Sequence, residues 1–190
     1  VPWFSASLKH PGLLYLPEGV HDVKITGDGN GIIRGNSLEL PGTPDVGGPN
    51  DTQPEEAHIH LNLIQAQGAR SVVIERIRLL QPWITGVVIA ECRQVTIRDV
   101  YFGPNGTVGT DFCWLVNSSD LLVESNRIYT SDDGVVIWTV KGEARVSAFF
   151  NAQRAAPGAN IIVRNNYINT NRRAHPTGWG IVFYRWGAAA

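Results

Sequence analysis

Three aspartates in this chain could carry chemistry. Asp132 and Asp133 are adjacent in the segment TSDDGVVIW, and Asp111 precedes Asp132 by 21 residues. Adjacent carboxylates repel each other, so an isolated SDDG segment is more typical of a turn that precedes a strand. If the fold brings Asp111 to the same patch, the three groups cannot all ionise together and one should hold a proton near neutrality. A carboxylic acid beside a carboxylate is the pair that hydrolysis of a glycosidic bond requires.

The elements that would position these groups are short β-branched segments that recur along the chain. One set begins at Asp22, Ser71, Gln94, Asp120 and Asn160, and two of its intervals are 23 and 26 residues. A second set, TGVVIA, DFCWLV, DGVVIW and WGIVFY, follows the members of the first. Periods of this size with several strands per unit are typical of solenoids. A β-sandwich also spaces short strands closely, but it does not predict the repeated V-x-I register. The sequence therefore predicts an all-β fold, a right-handed parallel β-helix of about five or six turns forming a single domain over 1–190.

The repeat places the three aspartates in one patch. Asp111 opens the second strand of one turn, and Asp132 lies at the equivalent point of the next. Because stacked strands lie about 4.8 Å apart, Asp111 should approach the Asp132–Asp133 pair. Calcium binding is an alternative use of such a group, since hard cations also bind clustered oxygens. Short polar steps such as ESN and RNN fit the corners between sheets.

Two segments interrupt the repeat. Residues 37–57 are rich in Pro, Gly and acidic residues, and residues 139–157 follow the aspartate pair. We expect both to be long loops, and such loops often wall a binding site. The chain has no methionine and begins with VPWF. We therefore expect a processed product or a piece of a longer chain, which would continue with further C-terminal turns.

Composition limits the possible partners and chemistry. The net charge of −1 gives no electrostatic reason to bind nucleic acid or an anionic membrane, and no apolar run is long enough to span a bilayer. Cys92 and Cys113 match neither a metal knuckle nor a redox pair, so two buried thiols are predicted, with a disulfide as the alternative. Sequons at Asn50, Asn105 and Asn117 give weak support for secretion.

Candidate sugar-binding side chains accompany the aspartates. They are four aromatic residues, Trp114, Trp138, Trp179 and Tyr184, and a basic cluster, Arg172, Arg173 and His175. Flat rings beside a carboxylate cleft suit the apolar faces of sugar rings. Core packing is the alternative for about half of such aromatic residues. The basic cluster would either bind an anionic sugar or form a solvated loop.

Two segments, 72–102 and 109–138, resemble the polygalacturonase-like glycoside hydrolases of family 28. That family carries a strand, an NSPxW turn, a Cys-x-Asn-Val step, the motif NTDGxD and, one turn later, DDC or DDG. In this chain LQPW ends at Trp83, ECRQV holds Cys92, and GTD ends at Asp111. The 21-residue interval from that aspartate to the pair is similar to the family's, and residues 20–36 match more loosely.

The resemblance implies an inverting hydrolase on a right-handed β-helix. It assigns Asp132 as the general acid, with Asp111 and Asp133 holding and activating the water. The chain differs from the family at Trp179, which stands where the motif GHG has histidine, and it has no downstream Arg-x-Lys. The segment GIVFYRWG is similar to a Trp-Gly-rich segment of the related family 49 dextranases, so a neutral glucan is an alternative substrate.

These observations predict a secreted, monomeric polysaccharide hydrolase that uses neither a metal nor another cofactor. A pectin-like or polygalacturonan-like substrate is favoured, and a dextranase-like or exo-acting α-glycosidase is the nearest alternative. Two other classes compete with this hypothesis. One is a β-helix polysaccharide lyase, which would need calcium or a basic residue to remove a proton beside a uronate carboxylate. The other is a non-catalytic β-helix that binds carbohydrate.

Overall fold

The computed structural model describes residues 12–35, 62–82, 84–103, 110–140, 158–170 and 178–186. These residues form β-strands and contain no helix. The strands are β1 Gly12–Leu16, β2 His21–Arg34, β3 Asn62–Gln67, β4 Arg70–Leu80, β5 Thr85–Ala90, β6 Arg93–Arg98, β7 Tyr101–Phe102, β8 Asp111–Val116, β9 Ser119–Glu124, β10 Arg127–Thr130, β11 Val135–Val140, β12 Ala159–Arg164, β13 Tyr167–Thr170 and β14 Ile181–Trp186. The all-β prediction is confirmed.

The strands pair in parallel and form three rows. Row A contains β1, β3, β5, β8, β11 and β14 in that order. Row B contains the first halves of β2 and β4, followed by β6, β9 and β12. Row C contains the second halves of β2 and β4, followed by β7, β10 and β13. Along the chain the strands fall into rows A, B and C in the same cyclic order, and the sequence repeat reflects this order.

Aliphatic residues in register fill the space between the rows. In row B the buried residues align as Val72, Val95 and Leu121, and as Ile74, Ile97 and Val123. These residues alternate with exposed or half-buried ones, because successive side chains of a strand point to opposite faces. Burying each large aliphatic side chain stabilises the fold by about 1.5–3 kcal/mol. The V-x-I pattern in the sequence is therefore the inner face of row B.

The corners between rows recur at equivalent positions with left-handed backbone. Positive φ angles occur near the start of row B strands at Ser71, Gln94, Asp120 and Asn160, and between rows B and C at Arg76, Asp99, Ser125 and Asn165. The corners predicted at ESN and RNN are confirmed. Asn126 stabilises one of them, since its Oδ1 accepts a hydrogen bond from the Val100 N–H at 2.9 Å and its Nδ2 donates to the Ile97 carbonyl at 3.0 Å.

An ion-pair network lies on the outer face of row B. The carboxylate of Glu75, which is only 3% exposed, lies 2.6 Å from the Lys24 ammonium and 2.6 Å from the Arg98 guanidinium. Their hydrogen bonds and charges, with Lys24 the larger cause, lower the pKa of Glu75 to about 2. On neighbouring strands Arg164 Nε lies 2.9 Å from Glu124 Oε2. Opposite charges thus alternate along this face and favour the observed register.

Cys92 and Cys113 are buried free thiols, as predicted. Burial raises the pKa of Cys92 to about 12 and also raises the pKa of Cys113, so both side chains behave as small apolar groups. Asn117 is 6% exposed, which leaves little room for a glycan on its sequon. Asn50 and Asn105 lie outside the described residues.

The predicted loop at 139–157 begins two residues too early. Thr139 and Val140 complete β11, where they pair with residues 185 and 186 of β14. The sequence pattern hid this because a Thr-Val-Lys-Gly step resembles a strand end. The rest of that loop and the predicted loop at 37–57 lie outside the described residues. No helix in the described part of the chain is long and apolar enough to cross a membrane.

Candidate active site

The fold brings the three predicted aspartates together. Asp111 is the first residue of β8, and Asp132 and Asp133 lie in the turn between β10 and β11. Because β8 and β11 are neighbours in row A, the two strand entries are adjacent. One carboxylate oxygen from each residue lies within 4.8 Å of the others. The spacing argument from the sequence therefore predicted the right neighbours.

Hydroxyl side chains fix the turn that carries the aspartate pair. The Ser131 hydroxyl accepts a hydrogen bond from the Thr110 N–H at 3.0 Å, and the Thr130 hydroxyl bonds to the Thr110 carbonyl. That carbonyl also accepts from the Asp132 N–H at 3.1 Å. These supporting residues were not predicted from the sequence. Their signal was a hydroxyl directly before each aspartate segment, in GTD and in YTSDD.

Asp111 is buried and carries two hydrogen bonds. It is 6% exposed; its Oδ2 accepts from the Trp114 indole Nε1 at 2.5 Å and its Oδ1 from the Asp133 N–H at 2.8 Å. Burial is the main cause that raises the pKa of Asp111 well above its usual value, and the charge of Asp132 is the next. The two hydrogen bonds oppose this rise. Asp111 is thus a group that holds its proton more tightly than an ordinary carboxyl, as expected for grouped carboxylates.

Asp133 joins the site to the following strand. It is 5% exposed, and its Oδ1 accepts a hydrogen bond from the Trp179 N–H at 2.7 Å. The Tyr184 hydroxyl lies 3.4 Å from its Oδ2. Burial and the nearby carboxylates raise the pKa of Tyr184 to about 12, so the phenol is a donor at neutral pH. The Asp133 side chain therefore ties its turn to the segment that leads into β14.

Asp132 is the most accessible of the three. It is half-buried, whereas Asp111 and Asp133 are buried. A buried pair behind an accessible carboxyl gives the three groups different environments. Different environments separate pKa values, and such separation is how sites assign acid and base roles to like residues.

An aromatic cluster lies beside the carboxylates on row A. The Trp138 ring lies 6.1 Å from the Trp114 ring and 4.6 Å from the Tyr184 ring, measured between centroids. Trp179 is 52% exposed. Core packing does not account for these four rings, because none belongs to the buried hydrophobic cluster. Trp114 has a second role that the sequence did not suggest, since it donates to Asp111.

Two further polar residues lie at the same register position as Asp111 on the preceding strands of row A. Asn62, Thr85 and Asp111 are aligned on consecutive strands of row A. Within the described ranges, Thr85 Oγ1 and Asn62 Oδ1 are buried and have no hydrogen-bond partner. Neither residue was predicted from the sequence to belong to the site. The basic cluster of Arg172, Arg173 and His175 lies outside the described residues.

The three aspartates can place a proton donor and a water-activating carboxylate close to the same bond of a substrate. Three converging carboxylate oxygens are also a geometry that a hard cation could use. The geometry of the three carboxylates is therefore compatible with either hydrolysis or cation binding. Comparisons of the chain with protein-family models, with curated proteins and with solved structures found no match.

Proposed function

We propose that this chain is a polysaccharide-degrading glycoside hydrolase whose reaction centre is Asp111, Asp132 and Asp133. The observation that carries the proposal is the placement of one half-buried and two buried carboxylates within 4.8 Å of one another, beside exposed and half-buried aromatic rings. Carboxylate pairs of this kind cleave glycosidic bonds, and flat rings bind sugar faces.

The proposed scaffold is a right-handed parallel β-helix. Its support is the cyclic order of rows A, B and C and the parallel pairing of equivalent strands. The right hand follows from the strong preference of parallel crossover connections for that hand. On such a scaffold, equivalent positions of consecutive turns lie side by side, which is how residues 21 apart come to share one site.

In the proposed reaction Asp132 is the general acid. Its accessible carboxyl donates a proton to the glycosidic oxygen as the bond to the anomeric carbon breaks. Asp111 and Asp133 bind the attacking water and accept its proton. The hydrogen bond from the Trp114 indole stabilises the ionised form of Asp111 and so partly offsets the rise in its pKa, which favours its use as a base.

The separation between the carboxyl groups bears on the stereochemical outcome of the reaction. Inverting enzymes commonly separate their two carboxyl groups by about 6.5–9.5 Å and retaining enzymes by about 5–5.5 Å. The oxygen separation of at most 4.8 Å in this group is nearer to the retaining range. The assignment of inversion therefore rests on the resemblance to family 28 alone. Proton NMR of the first product decides between them, because inversion changes the anomeric configuration of the cleaved sugar.

A pectin-like, acidic polysaccharide is the favoured substrate, on the basis of the family resemblance. A neutral glucan is the second candidate, and the contiguous rings of Trp114, Trp138 and Tyr184 support it. Such rings bind the apolar face of a sugar without requiring a charge. Both candidates use the same three aspartates, so they differ in substrate and not in mechanism.

A reducing-sugar screen tests the proposal. Wild-type protein and Asp132→Asn would be incubated with polygalacturonate, rhamnogalacturonan, dextran and arabinogalactan, each with and without a chelator. We expect the wild type to cut at least one polymer in a chelator-insensitive reaction that the variant lacks. Loss of activity in chelator would favour a calcium-dependent lyase. Equal sugar binding by both proteins without cleavage would favour a carbohydrate-binding module.

A further inference from the structure

A ladder of tyrosine and arginine side chains occupies the outer face of row C, away from the carboxylates. On consecutive strands the aligned residues are Ile32, Arg78, Tyr101, Arg127 and Tyr167. Their sequence neighbours Ile77, Leu79, Phe102 and Ile128 are buried, so the ladder residues face outward. Arginine and tyrosine thus alternate along the direction in which the strands stack.

Close contacts hold these side chains in one surface. Arg78 lies over the Tyr101 ring at 5.2 Å, and Arg127 lies over the Tyr167 ring at 5.8 Å. Tyr129, two residues beyond Arg127, bridges the ladder: its ring lies 5.9 Å from that of Tyr101 and 5.7 Å from that of Tyr167. Arg127 Nε also donates to the Tyr129 hydroxyl at 2.8 Å. The rings and guanidinium groups therefore pre-organise each other.

The ladder is accessible and carries uncompensated positive charge. Arg78 and Arg127 are exposed, and Tyr167 is 54% exposed. In the part of the chain that the structure describes, neither arginine forms an ion pair with a carboxylate. The neighbouring outer face of row B is different, since Arg98 and Arg164 there are each paired with a glutamate. If the ladder served only to stabilise the fold, we would expect its arginines to be paired with carboxylates in the same way.

We propose that this Tyr–Arg ladder binds a linear acidic polysaccharide. Arg78 and Arg127 lie two strands apart, which is about 10 Å, with one tyrosine between them. This spacing presents a guanidinium, a ring and a second guanidinium along one line. Guanidinium groups bind carboxylates through charge-assisted hydrogen bonds, and tyrosine rings stack on sugars. The alternation therefore matches a polymer of sugar rings that carry carboxylate groups.

The ladder would serve as an auxiliary surface, since it lies on a different row from the aspartates. Tyr129 precedes Asp132 by three residues, so the two surfaces meet at the corner between rows C and A. A polymer held on the ladder would raise the local concentration of chain near the site. The choice of an acidic polysaccharide as occupant rests on the proposed function, although binding itself needs no catalysis.

Calorimetric titration with polygalacturonate tests the ladder. All variants would be made in the Asp132→Asn background, so that hydrolysis does not consume the ligand. We expect Arg78→Gln and Arg127→Gln each to weaken binding by about 3- to 5-fold, and the double variant by about 10- to 25-fold. Fully methyl-esterified polygalacturonate, which lacks the charges, should bind weakly to all the proteins and show no dependence on either arginine.

Arg93→Gln is the matched control, because Arg93 is also exposed and the change removes the same charge from another face. It should bind polygalacturonate as the parent does. Equal weakening by Arg93→Gln, or no change in the double variant, would overturn the proposal. Tighter binding of single-stranded DNA than of polygalacturonate at the same ionic strength would also overturn it. A ladder effect in a protein that hydrolyses no polymer would refute the proposed function alone, and hydrolysis with no ladder effect would refute the ladder alone.

Discussion

The hydrogen bond between the Trp114 indole and Asp111 provides a sharp test of the site. Trp114→Phe removes the donor that lies 2.5 Å from Asp111 Oδ2 but keeps an aromatic ring at the position. A hydrogen bond to a charged group contributes about 1.5–3 kcal/mol. Because about 1.4 kcal/mol corresponds to a tenfold change, the population of ionised Asp111 should fall by about 10- to 140-fold at a pH below its pKa.

The assay is the pH dependence of kcat/KM on whichever polysaccharide the protein cuts. Loss of the indole donor removes a contact that lowers the pKa of Asp111, so the acid limb of the profile should move to higher pH. The loss of activity should be greatest on that limb and should shrink as the pH rises. This pH dependence distinguishes an effect on a base from an effect on sugar stacking, which would change KM at every pH.

Trp179→Phe is the matched control for the loss of an indole. The Trp179 side chain is an exposed ring of the aromatic cluster, and the hydrogen bond that Trp179 donates to Asp133 comes from its backbone N–H, which the substitution keeps. The acid limb of the kcat/KM profile of Trp179→Phe should lie at the same pH as in the wild type. An unshifted limb in Trp114→Phe, or the same shift in both variants, would refute the role assigned to the Trp114–Asp111 hydrogen bond.

Three other predictions concern stability and can be checked by denaturant unfolding. Glu75→Gln should lower the free energy of unfolding at neutral pH, because the pKa of Glu75 is about 2 in the fold. The difference in stability between the variant and the wild type should shrink as the pH falls from about 4.5 towards 2. A difference that grows over this range would contradict the ion pair with Arg98. For Asp111→Asn, the free energy of unfolding relative to the wild type should increase as the pH rises from about 4 towards neutrality, since the raised pKa means that ionisation of Asp111 opposes folding. A relative stability that falls over this range would contradict it. Gly134→Ala should destabilise the fold by about 1–3 kcal/mol, because the added Cβ would clash with the Gly180 carbonyl. Gly180→Ala is the control and should leave the stability unchanged, since a Cβ at that position meets no atom within 4 Å. Equal effects of the two substitutions would refute the clash.

The rows and the aspartate group could be predicted because a repeat converts sequence spacing into spatial proximity. Asp111 lies at the entry of β8 and Asp132 just before β11, and these strands are neighbours in row A, so the interval between equivalent points of the repeat predicted that they would be close. The inner residues Val72, Val95 and Leu121 were recognisable for the same reason. For a residue that occupies a regular position of the repeat, the repeat alone predicts which residues are its neighbours in space.

The remaining features depend on side-chain contacts that the repeat does not encode. Trp114 follows Asp111 by three residues, which places the two on opposite faces of an ideal strand, and the hydrogen bond forms because Asp111 lies at the strand entry. Thr85 carries no sign in the sequence that its hydroxyl is buried without a partner among the described residues. The alternation of Arg127 with tyrosines appears only when the strands of row C are aligned by their pairing, because the intervals between these strands in the sequence are unequal.

The general-acid role of Asp132 is the central claim, and leaving-group dependence tests it most directly. Wild-type protein and Asp132→Asn would be compared on the polysaccharide that is cut and on a glycosyl fluoride of the same sugar, whose departure needs no proton. We predict that the variant loses about 10²- to 10⁴-fold in kcat on the polysaccharide while it keeps most of the wild-type rate on the fluoride. An equal loss on both substrates, or no loss on the polysaccharide, would contradict the assignment.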